Sequence, residues 1–290
     1  MHRPLPPPAA GVSAVRLPGT VVAVTGGARG IGYAIAEQLR DAGARVALGD
    51  IDAAAVTEAG IRLGAAVAPA LDVTEPDSFR EFLAAVEAAT GPVDVLINNA
   101  GIMPVGRFVA ESDAITRRIL EVNVLGVMNG TKAVLPQMLS RGRGHIVNIA
   151  SLAGENPTPG MATYCAAKQA VLGFTEAMRL EYRGSGVHFS AVLPTFTRTE
   201  LIAGTTPPRG LLAEPGDVAR AVVRLIARPR RRVTVTRAAG VAMAFNKLTP
   251  RAFGEFTARR MGVHRIFTDE VDRAARADYD RRVGNTPSDD

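Results

Sequence analysis

A short apolar run, Thr20–Thr25 (TVVAVT), passes straight into Gly26-Gly27-Ala28-Arg29-Gly30-Ile31-Gly32 and then into a helical stretch, YAIAEQLRDAG. Gly43 stands where that helix needs a C-cap. A second apolar run, Arg45–Gly49, follows and closes on Asp50. Strand, glycine turn, helix, strand and acid in this order predict a βαβ unit. No other feature constrains the fold as much. Two parallel strands joined through a helix commit the chain to a sheet that helices must cover on both faces.

The glycines have physical jobs. They allow the tight turn, and they let the backbone and the helix N-terminus approach a pyrophosphate. With an acid at the end of the second strand, the pattern points to a dinucleotide. A carboxylate at Asp50 can bind both ribose hydroxyls of NAD, and it repels the extra phosphate of NADP. Arg29 pulls the other way, because a guanidinium beside the turn can bind that phosphate. Ile51 supplies no second cation. NAD is the expected cofactor, with NADP as the alternative.

The alternation continues along the chain. Ala53–Leu63 suits a helix with Asp52 as its N-cap. Ala66–Leu71 suits a strand that ends at Asp72-Val73. Glu75–Ala89 suits a helix, with Thr74 placed to cap it, and Val93–Ile97 a strand that runs into Asn98-Asn99-Ala100-Gly101. Glu111–Leu139 is one long helical region containing Asn123. An asparagine inside a helix is mildly unfavourable, and its side chain can simply bond nearby backbone. Later come a strand HIVNIAS ending at Ser151, a strand Val187–Leu193, a helix Pro215–Ala227 and a strand Val233–Thr236. The expected fold class is α/β, a Rossmann-type doubly wound parallel sheet. Ligands in such sheets bind beyond the carboxyl ends of the strands, where Asp72, the NNAG turn and Ser151 fall. Asn98 and Asn99 are read as cofactor-side residues rather than simple turn-formers.

The stretch SLAGENPTPGMATYCAAK carries the chemistry. Tyr164 and Lys168 are four apart, about one helical turn, and share a helix face. A free tyrosine has a pKa of about 10, too high for a base at neutral pH. A neighbouring ammonium favours the phenolate and lowers that value. Such a pair can move a proton to or from an alcohol or carbonyl oxygen, with Ser151 presenting its hydroxyl to the same oxygen. Cys165, next to Tyr164, points about 100° away around the helix and reads as a packing residue. This chemistry calls for no metal.

With these motifs in place, the chain resembles the short-chain dehydrogenase/reductase family in its classical form. The matching residues are TGGARGIG at Thr25–Gly32, Asp50, Asp72, NNAG at Asn98–Gly101, Asn123, Ser151 and YCAAK at Tyr164–Lys168, in the family's order and spacing over roughly Thr20–Ala227. The resemblance implies that Tyr164 is the general acid/base, that Lys168 lowers its pKa and bonds the nicotinamide ribose, and that Ser151 orients the substrate oxygen. It implies that Asn123 holds a water in a proton relay from Lys168. The turn Gly26–Gly32, with Arg29, Gly30 and Ile31, would carry the pyrophosphate, Asp50 the adenosine ribose, and Asp72-Val73 the adenine. Asn99, Ala100 and Gly101 would lie on the cofactor side. In Pro194-Thr195-Phe196-Thr197-Arg198-Thr199, Thr197 would face the carboxamide and Thr199 would bond it or the phosphate. The family's usual glycine after the proline is here Thr195. Threonine resists positive φ, so the turn geometry is the open point.

The chain has 290 residues, expected to divide into a flexible proline-rich arm (1–18), the dinucleotide domain (19–240) and a C-terminal helical extension (241–290). The net charge of +6 is uneven. Arg228–Arg265 holds ten Lys/Arg against one acid, whereas Ile266–Asp290 holds four Arg against seven acids. Thr249 and Pro250 suit a helix start, and Ala252, Phe253 and Phe256 form an apolar strip among Arg251, Arg259 and Arg260. The preferred reading is a helix packed over the substrate cleft or at a subunit interface; the alternative is peripheral contact with a membrane. Nucleic acid fits poorly, because the basic residues lack interleaved aromatics. The single cysteine excludes an intramolecular disulfide and fits a reducing compartment, so a cytoplasmic location is expected. No run is long and apolar enough to suggest a membrane-spanning helix.

The expected function is an NAD-dependent oxidoreductase that moves a hydride between the cofactor and a secondary alcohol or ketone. The substrate loop is expected at Thr199–Leu212, where Leu201, Ile202, Leu211 and Leu212, with Ile102 and Met103, suggest a lipophilic substrate such as a steroid, retinoid or other lipid. The rivals are an NADP-dependent carbonyl reductase and a non-catalytic cofactor-sensing protein. A homo-oligomer is expected from the resemblance alone.

Overall fold

The computed structural model describes residues 17–207, 212–236 and 265–285. Strand β1 (Val21–Thr25) is followed by α1 (Gly30–Asp41), β2 (Arg45–Gly49), α2 (Ala53–Leu63), α3 (Pro76–Thr90) and β3 (Val95–Asn98). Then come α4 (Asp113–Leu120), a π-helical turn at Glu121–Leu125, α5 (Gly126–Arg141), β4 (Gly144–Ile149), α6 (Ala162–Glu181) and β5 (Val187–Leu193). A two-residue pair, β6 (Phe196–Thr197) and β7 (Leu212–Ala213), flanks the loop expected to meet substrate, followed by α7 (Pro215–Ala227), β8 (Arg232–Thr234) and α8 (Arg273–Val283). The main sheet runs β2-β1-β3-β4-β5-β8, and every pair in it is parallel.

The period of two along each strand sends alternate side chains to opposite faces. Val22 and Val24 of β1 pack with Ile35 and Leu39 of α1 and Val218 and Val222 of α7. Val21 and Ala23 pack on the other face, with Phe79 and Phe82 of α3 and Val134 and Met138 of α5. Both faces are thus covered, as parallel pairing requires.

Three local expectations are corrected. The segment 66–71 is not a strand. It meets β2 only at isolated bridges, Ala47 with Val67 and Asp50 with Ala70. Pro69 interrupts it, because proline has no N–H to give to a ladder. Thr74 does not cap α3. Its hydroxyl donates to Asp72 Oδ1 at 2.7 Å, and the helix starts one residue later, with Glu75 at the N-cap and Pro76 in the first turn. The region 111–139 is not one helix. The π turn separates α4 from α5, and the Asn123 amide sits in it, donating to Ile119 O at 3.0 Å. A side chain that bonds the backbone of the preceding turn competes with the regular ladder. By contrast, Asp52 caps α2 by accepting from Ala55 N at 3.0 Å. The helix expected from Thr249 and Pro250, with its apolar strip and arginines, lies outside the described residues, as does the arm up to residue 16.

A buried polar chain ties the reactive end of the sheet together. Asn98 Nδ2 donates to Asn148 Oδ1 at 2.9 Å, Asn148 Nδ2 donates to Thr175 Oγ1 at 2.9 Å, and Thr175 donates to Val171 O at 2.7 Å. It joins β3, β4 and α6, the elements that lead into the NNAG turn, Ser151 and Tyr164. Asn98 is therefore a core residue, not a cofactor-side one. Asn148→Leu would strip partners from Asn98 and Thr175 in a dry interior. It is expected to lower the unfolding free energy by about 2–4 kcal/mol in urea titration. A change under about 0.5 kcal/mol would show that the chain bears no weight.

Candidate active site

β1 has β2 on one side and β3 on the other, so the strand order reverses between β1 and β3. A crevice opens at such a reversal, beyond the carboxyl ends of the strands. Here it is a cleft of about 2080 Å³. Asn99 closes its floor: its Nδ2 donates to Thr25 O and Gly26 O, both at 3.0 Å. Thr25 Oγ1 accepts from the amides of Asn99 and Ala100, both at 3.0 Å. Gly26, Arg29, Gly30, Ile31, Asp50, Asp72, Val73, Asn99, Ala100, Gly101, Pro194, Thr197 and Thr199 border the cleft, whereas Gly27, Ala28, Gly32 and Asn98 do not. A Cβ at Gly32 would collide with Gly26 O, so this glycine serves the close packing of α1 against the turn.

The residues present fit a dinucleotide. Gly26 (φ +63°) and Gly30 (φ +56°) take the left-handed conformation that side chains disfavour. A Cβ on Gly26 would lie 2.8 Å from Ala100 Cα, and one on Gly30 would lie 3.3 Å from Thr199 Cγ2. No side chain caps α1 at Arg29, and its first turn carries no acid, so its leading N–H groups are open to an anion. The Asp50 carboxylate is aimed by two amides, Ala28 N at 3.1 Å and Asp52 N at 3.2 Å. Arg29 is paired with Asp52 at 2.5 Å and lies 3.9 Å from Glu200. Asp72 Oδ1 accepts from Thr74 N at 2.9 Å, and Asp72 N donates to Ser78 Oγ at 3.1 Å. Val73 lies beside it, against Gly126.

Ser151, Tyr164, Lys168 and Asn123 come together at one end of the cleft. Ser151 follows β4, and its Oγ accepts from Ala153 N at 3.1 Å. Tyr164 and Lys168 lie one turn apart on α6, with Nζ 5.6 Å from the phenol ring centre. The surroundings of Tyr164 act against the direction expected from Lys168. Burial pushes the phenol above its ordinary value, and the hydrogen bond with Ser151 only partly opposes it. Burial also pushes the Lys168 ammonium down to about 8. Its Nζ donates to Ile149 O at 3.0 Å. Asn123 is fully buried: Nδ2 donates to Ile102 O at 2.9 Å, and Oδ1 accepts from Ile102 N at 3.2 Å. Its amide thus bonds the backbone both after the NNAG turn and in α4. Cys165 is buried, accepts from Thr158 N at 3.5 Å, and burial raises its thiol, which suits a packing role.

The far wall is apolar. Met103, Val105, Met161, Ile266 and Phe267 cluster with Tyr164, joined by Phe196, Leu201 and Ile202. Phe196 and Phe267 stack at 5.8 Å. Among the described residues no glycine-free turn is strained: no non-glycine residue has positive φ, so Thr195 fits where the family has glycine. Pro194 O accepts from Leu152 N at 2.9 Å, and Thr197 and Thr199 both border the cleft. Leu211 lies outside the described residues. Sequence reasoning missed Phe267, Tyr279, Arg282 and Val283, which line the cleft from the C-terminal segment. A signal for α8 existed in Asp272 as N-cap and Gly284 (φ +76°) beyond its end. Its polar sequence concealed which face would be buried.

A family model described as short chain dehydrogenase matches residues 20–209. The chain is 35% identical over 224 residues to 2,5-dichloro-2,5-cyclohexadiene-1,4-diol dehydrogenase LinX of Sphingobium indicum, spanning 72% of this chain and 90% of that one. It is 38% identical over 231 residues to 2-(S)-hydroxypropyl-CoM dehydrogenase 3 of Xanthobacter autotrophicus, spanning 73% and 91%. The crystal structure of 3-ketoacyl-(acyl-carrier-protein) reductase from Brucella melitensis complexed with NADH superposes with a TM-score of 0.69 at 27% identity, covering 76% of this chain and 97% of that one. With the glycine turn, the strand-order reversal and the Ser-Tyr-Lys cluster already in view, these matches establish that the chain belongs to the short-chain dehydrogenase family, oxidoreductases that act on CH–OH or ketone groups with a nicotinamide cofactor.

Proposed function

We propose that this oxidoreductase prefers NAD and interconverts a lipophilic secondary alcohol and its ketone. The carrying observation is the meeting of Ser151, Tyr164 and Lys168 at the apolar end of a cleft whose other end presents Asp50. The nicotinamide supplies the hydride acceptor or donor, and the chain handles the proton. Tyr164 takes the hydroxyl proton as the carbonyl forms and returns it in reduction. Ser151 orients the substrate oxygen. Lys168 supplies the cation beside the phenol, and Asn123 holds the Ile102 backbone at the mouth of the NNAG turn. Support for NAD comes from charge. Asp50 is fixed by two amides, and the nearest guanidinium, Arg29, is already paired with Asp52. Support for a lipophilic substrate comes from the wall of Met103, Met161, Leu201, Phe196 and Phe267. The relatives named as dehydrogenases of a cyclohexadiene diol and of 2-(S)-hydroxypropyl-CoM fit a secondary carbinol.

A homo-oligomer and a cytoplasmic location belong to the same reading. Leu120, Leu125 and Leu180 stand exposed on α4, the π turn and α6, as a helix face awaiting a partner would. Among the described residues no helix is long and apolar enough to cross a membrane.

Formation of reduced nicotinamide, with NAD and NADP in parallel against secondary alcohols of rising apolar size, tests the reaction. Turnover with NAD that rises with apolar size is the expected result; turnover with NADP alone would overturn the cofactor assignment. Tyr164→Phe is expected to lose roughly 10²–10⁴ in kcat while still binding cofactor. Retained turnover in that variant would dismiss the phenol as the proton carrier. Asp50→Ala is expected to move the NAD-to-NADP ratio of kcat/KM at least about tenfold toward NADP, each tenfold being about 1.4 kcal/mol. An unmoved ratio would remove Asp50 from cofactor choice.

Lys168 gives a stability test. Its folded value of about 8 lies below the value of about 10.4 for an unfolded lysine. Between those values the unfolded chain holds more protons, so this group adds stability as pH rises through that window. From about pH 7.5 to about pH 9.5, wild type should gain on the order of 1–2 kcal/mol over Lys168→Met in urea unfolding. Parallel pH dependences would mean that the ammonium is not held against its hydration.

A further inference from the structure

Helix α8 joins the cleft through residues that the chemistry above does not use. Tyr279 is 5% exposed, yet it lines the cleft. Its oxygen accepts from Met103 N at 2.7 Å. Among the described residues no acceptor takes its own proton. A charge on it would oppose one on Tyr164, with which it shares the cleft. Burial pushes its phenol up to about 12, so the hydroxyl stays protonated at any working pH and remains a donor.

Arg276 fixes that hydroxyl in place. Its side chain is fully buried, a costly position for a guanidinium unless its donors are satisfied. It donates to Met103 O, to Leu201 O at 2.8 Å, to Ala203 O at 3.1 Å and to Asp280 Oδ1 at 3.2 Å. Its guanidinium lies over the Tyr279 ring, 4.6 Å from the centre. Asp272 N donates to Gly204 O at 2.8 Å, which clamps the same loop again. One buried cation thus binds the strand of backbone after the NNAG turn, the substrate loop and α8 into one wall. A phenol held this firmly in an otherwise apolar wall is a built donor.

We propose that Tyr279 is a specificity-determining residue, donating its hydroxyl hydrogen bond to a second oxygen of the substrate, remote from the carbinol that reacts. The inference rests on the alcohol/ketone reading above. It names the substrate class further: cyclic or extended secondary alcohols that carry a hydrogen-bond acceptor on the far side of an apolar body. A buried donor discriminates because a substrate without the acceptor leaves it unpaired.

The test uses matched pairs, cyclohexanol with 1,4-cyclohexanediol and decahydro-2-naphthol with decahydronaphthalene-2,6-diol, each with NAD and NADP. Wild type is expected to favour the diol by about tenfold or more in kcat/KM in at least one pair. In Tyr279→Phe that preference should vanish, and any loss from the unpaired Met103 N–H should fall on both members of a pair and cancel in the ratio. A structural defect would depress both members together and leave the ratio unchanged, and that result overturns the role of Tyr279. Turnover of both monoalcohols by wild type with no diol preference also overturns it, while leaving the proposed reaction standing. Persistence of the monoalcohol rate in Tyr164→Phe would instead mark failure of the underlying reaction scheme, so the two failures are told apart.

Discussion

Parallel pairing is the constraint on which the rest depends. A parallel strand cannot return through a tight turn, so each crossover passes through a helix, and all carboxyl ends collect on one edge. In this chain that edge gathers the glycine turn after β1, Asp50 after β2, the NNAG turn after β3, Ser151 after β4 and Pro194 after β5. The reversal of strand order between β1 and β3 leaves a gap that no helix of the described residues covers. Asn99 secures its floor by bonding the last carbonyls of β1. Residues as distant in sequence as Gly26 and Thr199 thereby meet across one cleft.

The polar groups buried at the reactive end bond backbone and one another. Asn123 is bonded to Ile102 and Ile119, Lys168 to Ile149, and Asn98 to Asn148. Burial of these side chains strengthens the electrostatic contacts between them. It also explains why the phenol of Tyr164 and the ammonium of Lys168 are each pushed toward neutrality.

The C-terminal segment completes the cleft by a different device. Helix α8 is polar in sequence and attaches through Arg276 rather than through an apolar stripe. Such an attachment is directional. It fixes Met103, Leu201 and Ala203 relative to one another, where a greasy contact would let them slide. The stacked Phe196 and Phe267 then lie over the same wall.

Much of this was legible in the residues alone. The apolar runs of the strands, Gly26–Gly32 with Asp50, and the spacing of Ser151, Tyr164 and Lys168 are local patterns, and local patterns declare themselves. Other features were decided by tertiary structure. Pro69 denied 66–71 its ladder, and Asn123 broke one long helix into two around a π turn, because its amide found Ile119 O and the Ile102 backbone instead of solvent. Asn98 and Asn99 are identical neighbours in sequence, yet one faces the core and the other the cleft, since a strand sends successive side chains to opposite faces. The direction of the Tyr164 shift depends on how much protein surrounds the ring, which spacing cannot report. Arg276 and Tyr279 carry no local pattern that marks them for burial. Only the fold could bury them, because burying an arginine requires acceptors that here come from Met103, Leu201 and Ala203, more than seventy residues away.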